Sequence, residues 1–330
     1  MRQRATQRPA AADQPTAYTP MPTTYTSPTL PGTMRVFERG WLSANNILFV
    51  DGDDTALVDS GYVTHAPQTL ALVEAGLGGR ALRRVVNTHL HSDHCGGNAT
   101  LQSRWRPRTL IPAAQAEAVR TWDVDALSYR ATGQQCDRFS FDGVVQDGDT
   151  LRLGGLDWQV VGAPGHDPHA VMLFAPQEGI LISGDALWEN GFGVIFPELD
   201  GESGFAEQAA VLARIATLDV RVVIPGHGRP FTNVAAALDI ADGRLAYLSA
   251  DAGRNATHAI KVLVKFKLLE QQRMRRDALL AWMAQAPLMQ RIHARFMPAQ
   301  DLSTLLDRIL ASLAAAGALA LEGAEVYNRD

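Results

Sequence analysis

The residues of this chain that could carry chemistry are concentrated at positions 88–97, where the sequence is Thr-His-Leu-His-Ser-Asp-His-Cys-Gly-Gly. Three imidazoles and one carboxylate lie close together here: His89, His91, Asp93 and His94. Neutral imidazole and carboxylate are the ligands that a Zn²⁺-like ion takes in catalytic sites, where one coordination position stays open for water. A tight loop can direct His89 and His91 to one point and Asp93 and His94 to a neighbouring point. The spacing therefore predicts metal-assisted chemistry.

The sequence on either side of this segment predicts how the segment is held. Val85-Val86 is typical of the end of a buried strand, and Gly96-Gly97 indicates a sharp turn into a helix. Strand patterns, such as residues 46–50, alternate with helical patterns, such as residues 66–75, over much of the chain. Alternation of this kind predicts an α/β sandwich.

Residues 88–97 resemble the signature motif of the metallo-β-lactamase superfamily. Four shorter segments resemble its other motifs in chain order: Val58-Asp59-Ser60-Gly61, Ala163-Pro164-Gly165-His166, Ser183-Gly184-Asp185 and Pro225-Gly226-His227-Gly228. The resemblance covers roughly residues 34–250 and implies a catalytic domain with an αββα sandwich of the metallo-β-lactamase type. A Gly-Asp after a strand is also a common turn, so the interpretation depends on the whole series and not on one motif.

The resemblance implies a dinuclear metal site built from seven side chains. One metal would be bound by His89, His91 and His166, a second by Asp93, His94 and His227, and Asp185 would bridge them. Two divalent ions are expected, zinc in the first place, although nitrogen and oxygen ligands also accept iron or manganese. Asp59 would support the site without binding a metal, but a turn or a helix cap explains this aspartate equally well. His169 is expected to support the site or to line the pocket.

The same resemblance implies a metal-dependent hydrolase. A hydroxide that bridges the two ions would attack the carbonyl of an ester, thioester or lactone in a small molecule. Asp93 would be the catalytic carboxylate that orients this hydroxide and passes its proton to the leaving group. The glyoxalase II-like and lactonase-like branches are the nearest. Two alternatives stay open, namely a nuclease of the same superfamily that cleaves single-stranded RNA or DNA, and a persulfide dioxygenase with a single iron.

Length and composition narrow the class of protein. With 330 residues, 46% of them hydrophobic, the chain is long enough for one large domain and a smaller one. No apolar run long enough for a membrane span is present, and a net charge of −5 gives no general support for nucleic-acid binding. Two cysteines are too few for a disulfide framework, and the N-terminus shows no apolar core of a signal peptide. We therefore expect a cytoplasmic protein whose partner is a small acyl substrate.

Residues 1–33 have a different composition from the rest of the chain. They carry six prolines and eight threonines and almost no large aliphatic residues. Such a segment cannot bury enough apolar surface to offset the entropy lost on ordering, which predicts a flexible N-terminal tail. The alternative is an arm that packs on the partner subunit of a homodimer.

Residues 251–330 predict a helical C-terminal module. Its helices are expected over 256–276, 276–285 and 302–315, with Pro287 as a stop, and a small hairpin over 318–327. Helices followed by a hairpin resemble the winged-helix C-terminal module of some hydrolases in this superfamily. The module carries a basic stretch formed by Lys261, Lys265, Lys267, Arg273, Arg275 and Arg276. This stretch is either a solvated helix face, a nucleic-acid contact or a surface that attracts an anionic substrate.

Substrate contacts are expected from residues 123–143, residues 188–200 and the C-terminal helices. Four aromatic residues near the first of these segments either line the cleft or belong to the core: Trp122, Tyr129, Phe139 and Phe141. Cys95, which directly follows His94, is either a soft ligand close to the metals or a small buried residue at the turn.

Overall fold

The computed structural model describes residues 27–329. Most of the predicted tail, residues 1–33, therefore lies outside the described residues. The end of that segment contacts the strands that follow. The hydroxyl of Thr33 donates to the carbonyl of Gly154 at 2.7 Å, and the N–H of Val50 donates to the carbonyl of Thr33 at 2.8 Å. These two hydrogen bonds hold the last residues of the segment on the domain.

The first sheet has six strands, which lie side by side in chain order. They are β1 (Met34–Phe37), β2 (Asn46–Asp51), β3 (Asp54–Val58), β4 (Arg84–Val86), β5 (Arg108–Pro112) and β6 (Gly143–Val145). The pairs β1–β2 and β2–β3 are antiparallel, and β3 to β6 are parallel. The β2–β3 pair needs only a tight turn, whereas the parallel strands need the longer crossover connections seen here.

The second sheet has five strands in the order β11-β10-β9-β8-β7. They are β7 (Thr150–Leu153), β8 (Leu156–Gly162), β9 (Val171–Ala175), β10 (Ile180–Gly184) and β11 (Val222–Pro225). Neighbouring strands are antiparallel except β10 and β11, which are parallel. Consequently β8, β10 and β11 all run in the same direction.

Helices cover the outer faces of the two sheets. The helices up to residue 249 are α1 (Ala66–Leu77), α2 (Ser92–Cys95), α3 (Asn98–Trp105), α4 (Ala116–Thr121), α5 (Tyr129–Thr132), α6 (Pro197–Asp200), α7 (Phe205–Thr217) and α8 (Val234–Ser249). Core residues of α1 and α3 pack with residues of the first sheet, and those of α7 and α8 pack with residues of the second sheet.

The side-chain alternation of the strands explains why two sheets and two helical layers form. In β2, Ile47 and Phe49 face the second sheet, whereas Leu48 packs against α1 and α3. In β10, Ile182 faces the first sheet, whereas Leu181 packs against the helices on the other side. Fully burying an aliphatic or aromatic side chain contributes about 1.5–3 kcal/mol. Because both faces of each sheet are apolar, both must be covered, and the expected αββα sandwich is confirmed.

The remaining elements follow α8. They are α9 (Ala252–Gln271), β12 (Arg273–Arg275), α10 (Arg276–Gln285), α11 (Pro287–Phe296), α12 (Leu302–Ala315), β13 (Leu319–Glu322) and β14 (Glu325–Asn328). The last strands form a sheet in the order β12-β14-β13. The structure contains the helices and the small hairpin that the sequence predicts for this region. The division into a catalytic domain, residues 34–250, and a C-terminal module, residues 251–330, stays a prediction.

Pro287 does not act only as a stop. It is the first residue of α11, a helix that the sequence interpretation missed. Proline is favoured at this position because the first N–H groups of a helix have no intrahelical acceptor. Among the helices between residues 27 and 329, none is both long enough and apolar enough to cross a bilayer.

Candidate metal centre

The carboxyl ends of five strands deliver the predicted site residues. Asp59 follows β3 and the 88–97 loop follows β4 in the first sheet. His166, Asp185 and His227 follow β8, β10 and β11 in the second sheet. Since β3 and β4 are parallel, and the other three strands share one direction, these ends meet at one edge of the sandwich.

The first cluster of ligand groups consists of His89, His91 and His166, with one ring nitrogen of each lying within 4.8 Å of the others. Nδ1 of His166 is 2.6 Å from the carbonyl of Val194, so this nitrogen donates its proton and Nε2 keeps a free lone pair. Nε2 of His166 faces Nδ1 of His91 at 2.8 Å. The three rings therefore direct nitrogen atoms to one point, as the ligands of a divalent cation must.

The second cluster consists of Asp93, His94 and His227, whose ligand atoms also lie within 4.8 Å of one another. Nε2 of His227 is 3.0 Å from Oδ2 of Asp93, and Nε2 of His94 is 4.0 Å from the same oxygen. All three side chains are buried or nearly so. Two imidazoles and a carboxylate thus form a second set of ligand groups beside the first.

Asp185 lies between the two clusters. Its Oδ1 is 3.4 Å from Nε2 of His94, and its Oδ2 is 3.5 Å from Nε2 of His166. The indole N–H of Trp188 donates to Oδ1 at 3.2 Å and fixes the carboxylate from the side. Oδ2 also lies 3.8 Å from Nε2 of His227, so the carboxylate of Asp185 is close to both clusters, as a bridging ligand must be.

Asp59 supports the second cluster through hydrogen bonds. Its Oδ2 accepts from Nδ1 of His94 at 2.8 Å and from the hydroxyl of Thr88 at 2.8 Å, and its Oδ1 accepts from the N–H of Thr88 at 2.9 Å. The bond to Nδ1 leaves Nε2 of His94 free to act as a ligand. Asp59 has a φ of 56°, which is costly for a residue other than glycine and persists where several contacts fix it.

The electrostatics of the clusters favour the protonation states that bind cations. Burial, together with the neighbouring imidazoles, lowers the pKa of His89 well below its ordinary value, and burial and the adjacent ring lower the pKa of His166 to about 4. Burial alone would raise the pKa of Asp185, but His94 and His227 outweigh it and hold it well below the ordinary value. Near neutral pH His89 and His166 are thus neutral imidazoles and Asp185 is an ionised carboxylate, which are the forms that bind a cation.

Bound cations would also explain two features of the site, namely the raised pKa of His94 and the unpaired ring nitrogens of His89 and His94. Burial alone would lower the pKa of His94, but the carboxylates of Asp185 and Asp59 raise it well above its ordinary value, so positive charge is stabilised at this point. Nε2 of His89 and Nε2 of His94 are buried and have no hydrogen-bond partner among residues 27–329. Buried polar atoms rarely lack a partner, and bound divalent ions would supply one. The residues present therefore fit a metal centre.

Two glycines leave room for the ligand side chains. A Cβ atom at Gly226 would lie 2.2 Å from Oδ1 of Asp185 and 2.9 Å from Cε1 of His94. A Cβ atom at Gly193 would lie 2.4 Å from Nδ1 of His166. Any larger residue at either position would displace a ligand.

A cavity of about 430 Å³ opens on the clusters. Its other walls come from residues 128–134, from residues 188–200 and from α9, so all three regions expected to form the cleft contribute to it. Two tryptophans also line it, and of these Trp188 belongs to the expected segment 188–200, whereas Trp41 was not expected from the sequence. The ring of Trp41 stacks on His227 with centroids 5.4 Å apart, and the ring of Trp188 meets the same imidazole at 5.5 Å.

His169 is not brought to the site. Its side chain is exposed and is not part of the cavity wall described above. The carboxylate of the neighbouring Asp167 turns inward instead, with Oδ2 3.6 Å from Nε2 of His91, and it accepts the backbone N–H of His169 at 2.6 Å. The turn therefore directs the imidazole of His169 outward. Asp167 directly follows His166, and this adjacency was the only sequence signal for it.

The four aromatic residues Trp122, Tyr129, Phe139 and Phe141 belong to a core cluster and not to the cavity wall. Cys95 is in the same cluster. Its Sγ lies 3.2 Å from the hydroxyl of Tyr129 and 3.8 Å from Sγ of Cys136, so it is a buried residue at the turn.

Comparison with known proteins gives the family. Residues 39–227 match the family model described as the metallo-beta-lactamase superfamily, and this range is more than half of the chain. The chain belongs to the metallo-beta-lactamase superfamily. The matched range includes every predicted metal ligand from His89 to His227.

The chain is similar to two curated hydroxyacylglutathione hydrolases. The protein of Maricaulis maris (strain MCS10) is 29% identical over 194 residues, which are 58% of this chain and 63% of that protein. The protein of Xylella fastidiosa (strain M12) is 31% identical over 174 residues, which are 52% of this chain and 57% of that protein. The chain thus spans less than two thirds of the length of these relatives.

The chain is also similar to a solved structure over most of its length. A metallo-beta-lactamase family protein from Thermus thermophilus superposes with a TM-score of 0.55 at 20% identity, covering 91% of this chain and 100% of that one. At this level of identity the similarity shows the fold, and it extends over more of the chain than the family match does.

Proposed function

We propose that this protein is a metal-dependent hydrolase that cleaves an acyl bond of a small molecule, a thioester in the first place. The observation that carries the proposal is the meeting of two three-residue ligand clusters at Asp185, beside a cavity of about 430 Å³. Pockets of this size suit small molecules. The names of the two relatives, both hydroxyacylglutathione hydrolases, support a thioester substrate.

The site residues have separate tasks in this reaction. When bound, two divalent ions would lower the pKa of water toward neutrality and polarise the attacked carbonyl. Asp93 lines the cavity and is ionised, since burial alone would raise its pKa but the hydrogen bond with His227 and the electrostatic effect of His94 and His227 together lower it. Its carboxylate would take the proton of the attacking water and return it to the leaving group, which departs as a neutral thiol or alcohol.

Neighbouring side chains hold the ligands in place and shield them. Asp59 fixes the tautomer of His94, so that Nε2 is the atom offered to the metal. The ring of Phe196 packs beside His91 at 5.4 Å and beside His166 at 5.6 Å. Its apolar surface excludes water from one side of the first cluster, which strengthens the electrostatic interactions there.

Zinc is the metal that we propose for both positions. Five imidazoles and two carboxylates form the ligand set, and Zn²⁺ takes both types, whereas iron and manganese remain the alternatives to test. We also propose an intracellular location, because Cys95 and Cys136 are free thiols only 3.8 Å apart at sulfur, which suits a reducing compartment.

The test compares the wild-type protein with His91→Ala on model thioesters, lactones and labelled single-stranded RNA. We expect acyl hydrolysis by the metal-loaded wild type and a loss of at least about a thousandfold in the variant, since a ligand is removed from the first cluster. His169→Ala is the matched control, because this exposed histidine lies outside the cavity and should leave the rate unchanged. Cleavage of RNA without acyl hydrolysis would replace the proposal with a nuclease.

A further inference from the structure

A second cavity, of about 880 Å³, adjoins the one beside the metal ligands. It lies between α8, the first turns of α9 and the segment 296–300. Three side chains line both cavities: Arg244, His258 and Lys261. All three carry nitrogen donors and none is acidic. These side chains therefore make the junction of the two cavities more basic than acidic.

Arg244 is a partly buried cation without a carboxylate partner. Its guanidinium donates to Nε2 of His258 at 2.7 Å and lies over the ring of Phe192, 5.4 Å from the centroid. No carboxylate lies within 4 Å of it in the part of the chain that the structure describes. Burial lowers the pKa of Arg244 because the charged form is poorly solvated there. A guanidinium in such surroundings is completed by an anion.

Lys261 adds a second unpaired cation at the same junction. It lies three residues after His258 on α9, and it has neither an ion pair nor a hydrogen bond within residues 27–329. Burial, Arg244 and Lys261 together lower the pKa of His258 to about 3. His258 is therefore neutral near pH 7, and its Nε2 accepts a hydrogen bond and positions Arg244 without neutralising its charge.

The wall of the second cavity continues the same pattern. Arg254 lies over the exposed ring of Tyr247, 4.3 Å from the centroid, and Arg308 also lines this space. One carboxylate is present, that of Asp251. It caps α9 by accepting from the N–H of Gly253 at 2.9 Å and lies 4.0 Å from Arg254. Positive groups outnumber it, so the second cavity favours anionic ligands.

Residues 188–191 contact both Asp185 and Arg244, and so connect the predicted metal ligands with the junction of the two cavities. The indole N–H of Trp188 donates to Asp185, and the backbone N–H of Trp188 donates to the carbonyl of Gly191 at 2.6 Å. A Cβ atom at Gly191 would lie 2.9 Å from Cδ and Nη1 of Arg244, so the guanidinium packs directly on this segment. In contrast, the part of the first cavity formed by Val262 and Phe266 is apolar. One molecule can therefore reach both the ligand clusters and the cations.

We propose that Arg244 and Lys261 bind a carboxylate or phosphate on the leaving group of the substrate, and that this leaving group extends into the second cavity. The apolar part of the first cavity then receives the acyl chain. The inference rests on the proposed acyl hydrolase function. Hydrolysis adds water across the thioester bond and gives a carboxylic acid and a thiol, and the thiol leaves through the second cavity, where Tyr247 is 58% exposed.

Kinetics with one acyl group on three thiols test this assignment. Hexanoyl thioesters of N-acetylcysteamine, glutathione and coenzyme A present a neutral, a carboxylate-bearing and a phosphate-bearing leaving group. We expect kcat/KM of the wild type to be at least tenfold higher for one anionic thioester than for the neutral one. Lys261→Met should reduce that preference about tenfold, because kcat/KM for the anionic thioester should fall more than kcat/KM for the neutral one. Arg244→Lys, which keeps the charge but loses the planar fork, should reduce the preference by a smaller factor.

Arg275→Met is the matched control. It removes one positive charge from the same module, but Arg275 pairs with Asp277 and lines neither cavity. The preference for an anionic leaving group should be unchanged in this variant. An equal rate with all three thioesters in the wild type, or an unchanged preference in Lys261→Met, would overturn the assignment.

Binding to the metal-free protein separates this inference from the hydrolase proposal. S-methyl glutathione and S-methyl coenzyme A cannot be hydrolysed, and calorimetry measures their affinity directly. We expect one of them to bind the wild type and Arg275→Met equally, and Lys261→Met about tenfold more weakly. Such binding without hydrolysis of any thioester would remove the proposed function but keep the anion site. Hydrolysis with no charge-dependent binding would keep the proposed function and remove the anion site.

Discussion

Oδ2 of Asp59 lies 2.8 Å from Nδ1 of His94, so a residue at the end of β3 sets the tautomer of a ligand in the loop after β4. The same carboxylate accepts two hydrogen bonds from Thr88, which precedes the first ligand of that loop. One side chain in a left-handed backbone conformation therefore positions both the start and the far end of the signature segment.

Asp59→Asn should weaken metal binding at the second cluster by about 10- to 100-fold, the usual range for loss of a partner that orients a ligand. Asparagine tolerates the positive φ of this position, so the backbone should be kept. Its amide has one acceptor oxygen in place of two, so at least one of the three hydrogen bonds from His94 and Thr88 is lost. Titration of the metal-free protein with Zn²⁺ gives the two affinities, and equal values for wild type and variant would show that Asp59 is only a turn residue.

Gly226→Ala should prevent assembly of the metal centre. The added Cβ atom would overlap Oδ1 of Asp185 and crowd the ring of His94, and neither buried side chain has space to move. We expect the purified variant to lose at least one metal ion and its hydrolytic activity. Gly243→Ala is the control, because a Cβ atom there meets nothing within 4 Å inside α8 and should stabilise the helix by about 0.5–1 kcal/mol. Normal metal content in Gly226→Ala would contradict the packing described for this site.

His258 makes the stability of the metal-free protein depend on pH. Its pKa is about 3 in the folded protein because of burial, Arg244 and Lys261, whereas an unperturbed histidine titrates near 6.5. Between these values the unfolded chain binds a proton that the folded chain does not, so stability is complete above pH 6.5 and falls as the pH decreases toward 3. One such proton contributes at most about 1.4 kcal/mol per pH unit.

His258→Gln should remove this contribution while keeping an acceptor for Arg244. Urea unfolding of both proteins at pH 6.5, 5.5 and 4.5 measures the difference. We expect the wild type to lose more stability than the variant over this range, with the two curves diverging toward low pH. Parallel curves would mean that His258 titrates alike in the folded and unfolded chains.

The candidate metal ligands could be identified in the sequence because each one lies in a recognisable turn after a strand. The residue types restrict the chemistry, and the family motif fixes their order, so all seven side chains were expected and the structure brings them together. The αββα sandwich could also be predicted. Strands such as β2 and β10 carry apolar residues on both faces, which requires a second sheet on one side and helices on the other.

Other features depend on contacts that no local pattern records. The direction of His169 is set by one turn, in which the carboxylate of Asp167 takes the inner position. β9, residues 171–175, was not predicted, although its run of five buried residues is as typical of a buried strand as that of β10. α11 was missed because Pro287 was interpreted as an end and not as a beginning. Arg244 and Lys261 face the cavity only because α8 and α9 pack together at its wall.

We propose that the protein binds two divalent ions in two separate ligand clusters joined at Asp185. The most direct measurement is the number of metal ions per chain in wild type, His91→Ala and His227→Ala, determined by inductively coupled plasma mass spectrometry after dialysis. We expect two ions in the wild type and about one in each variant, since each substitution removes a ligand from a different cluster. A wild type with one ion or none, or two ions retained in both variants, would contradict this proposal.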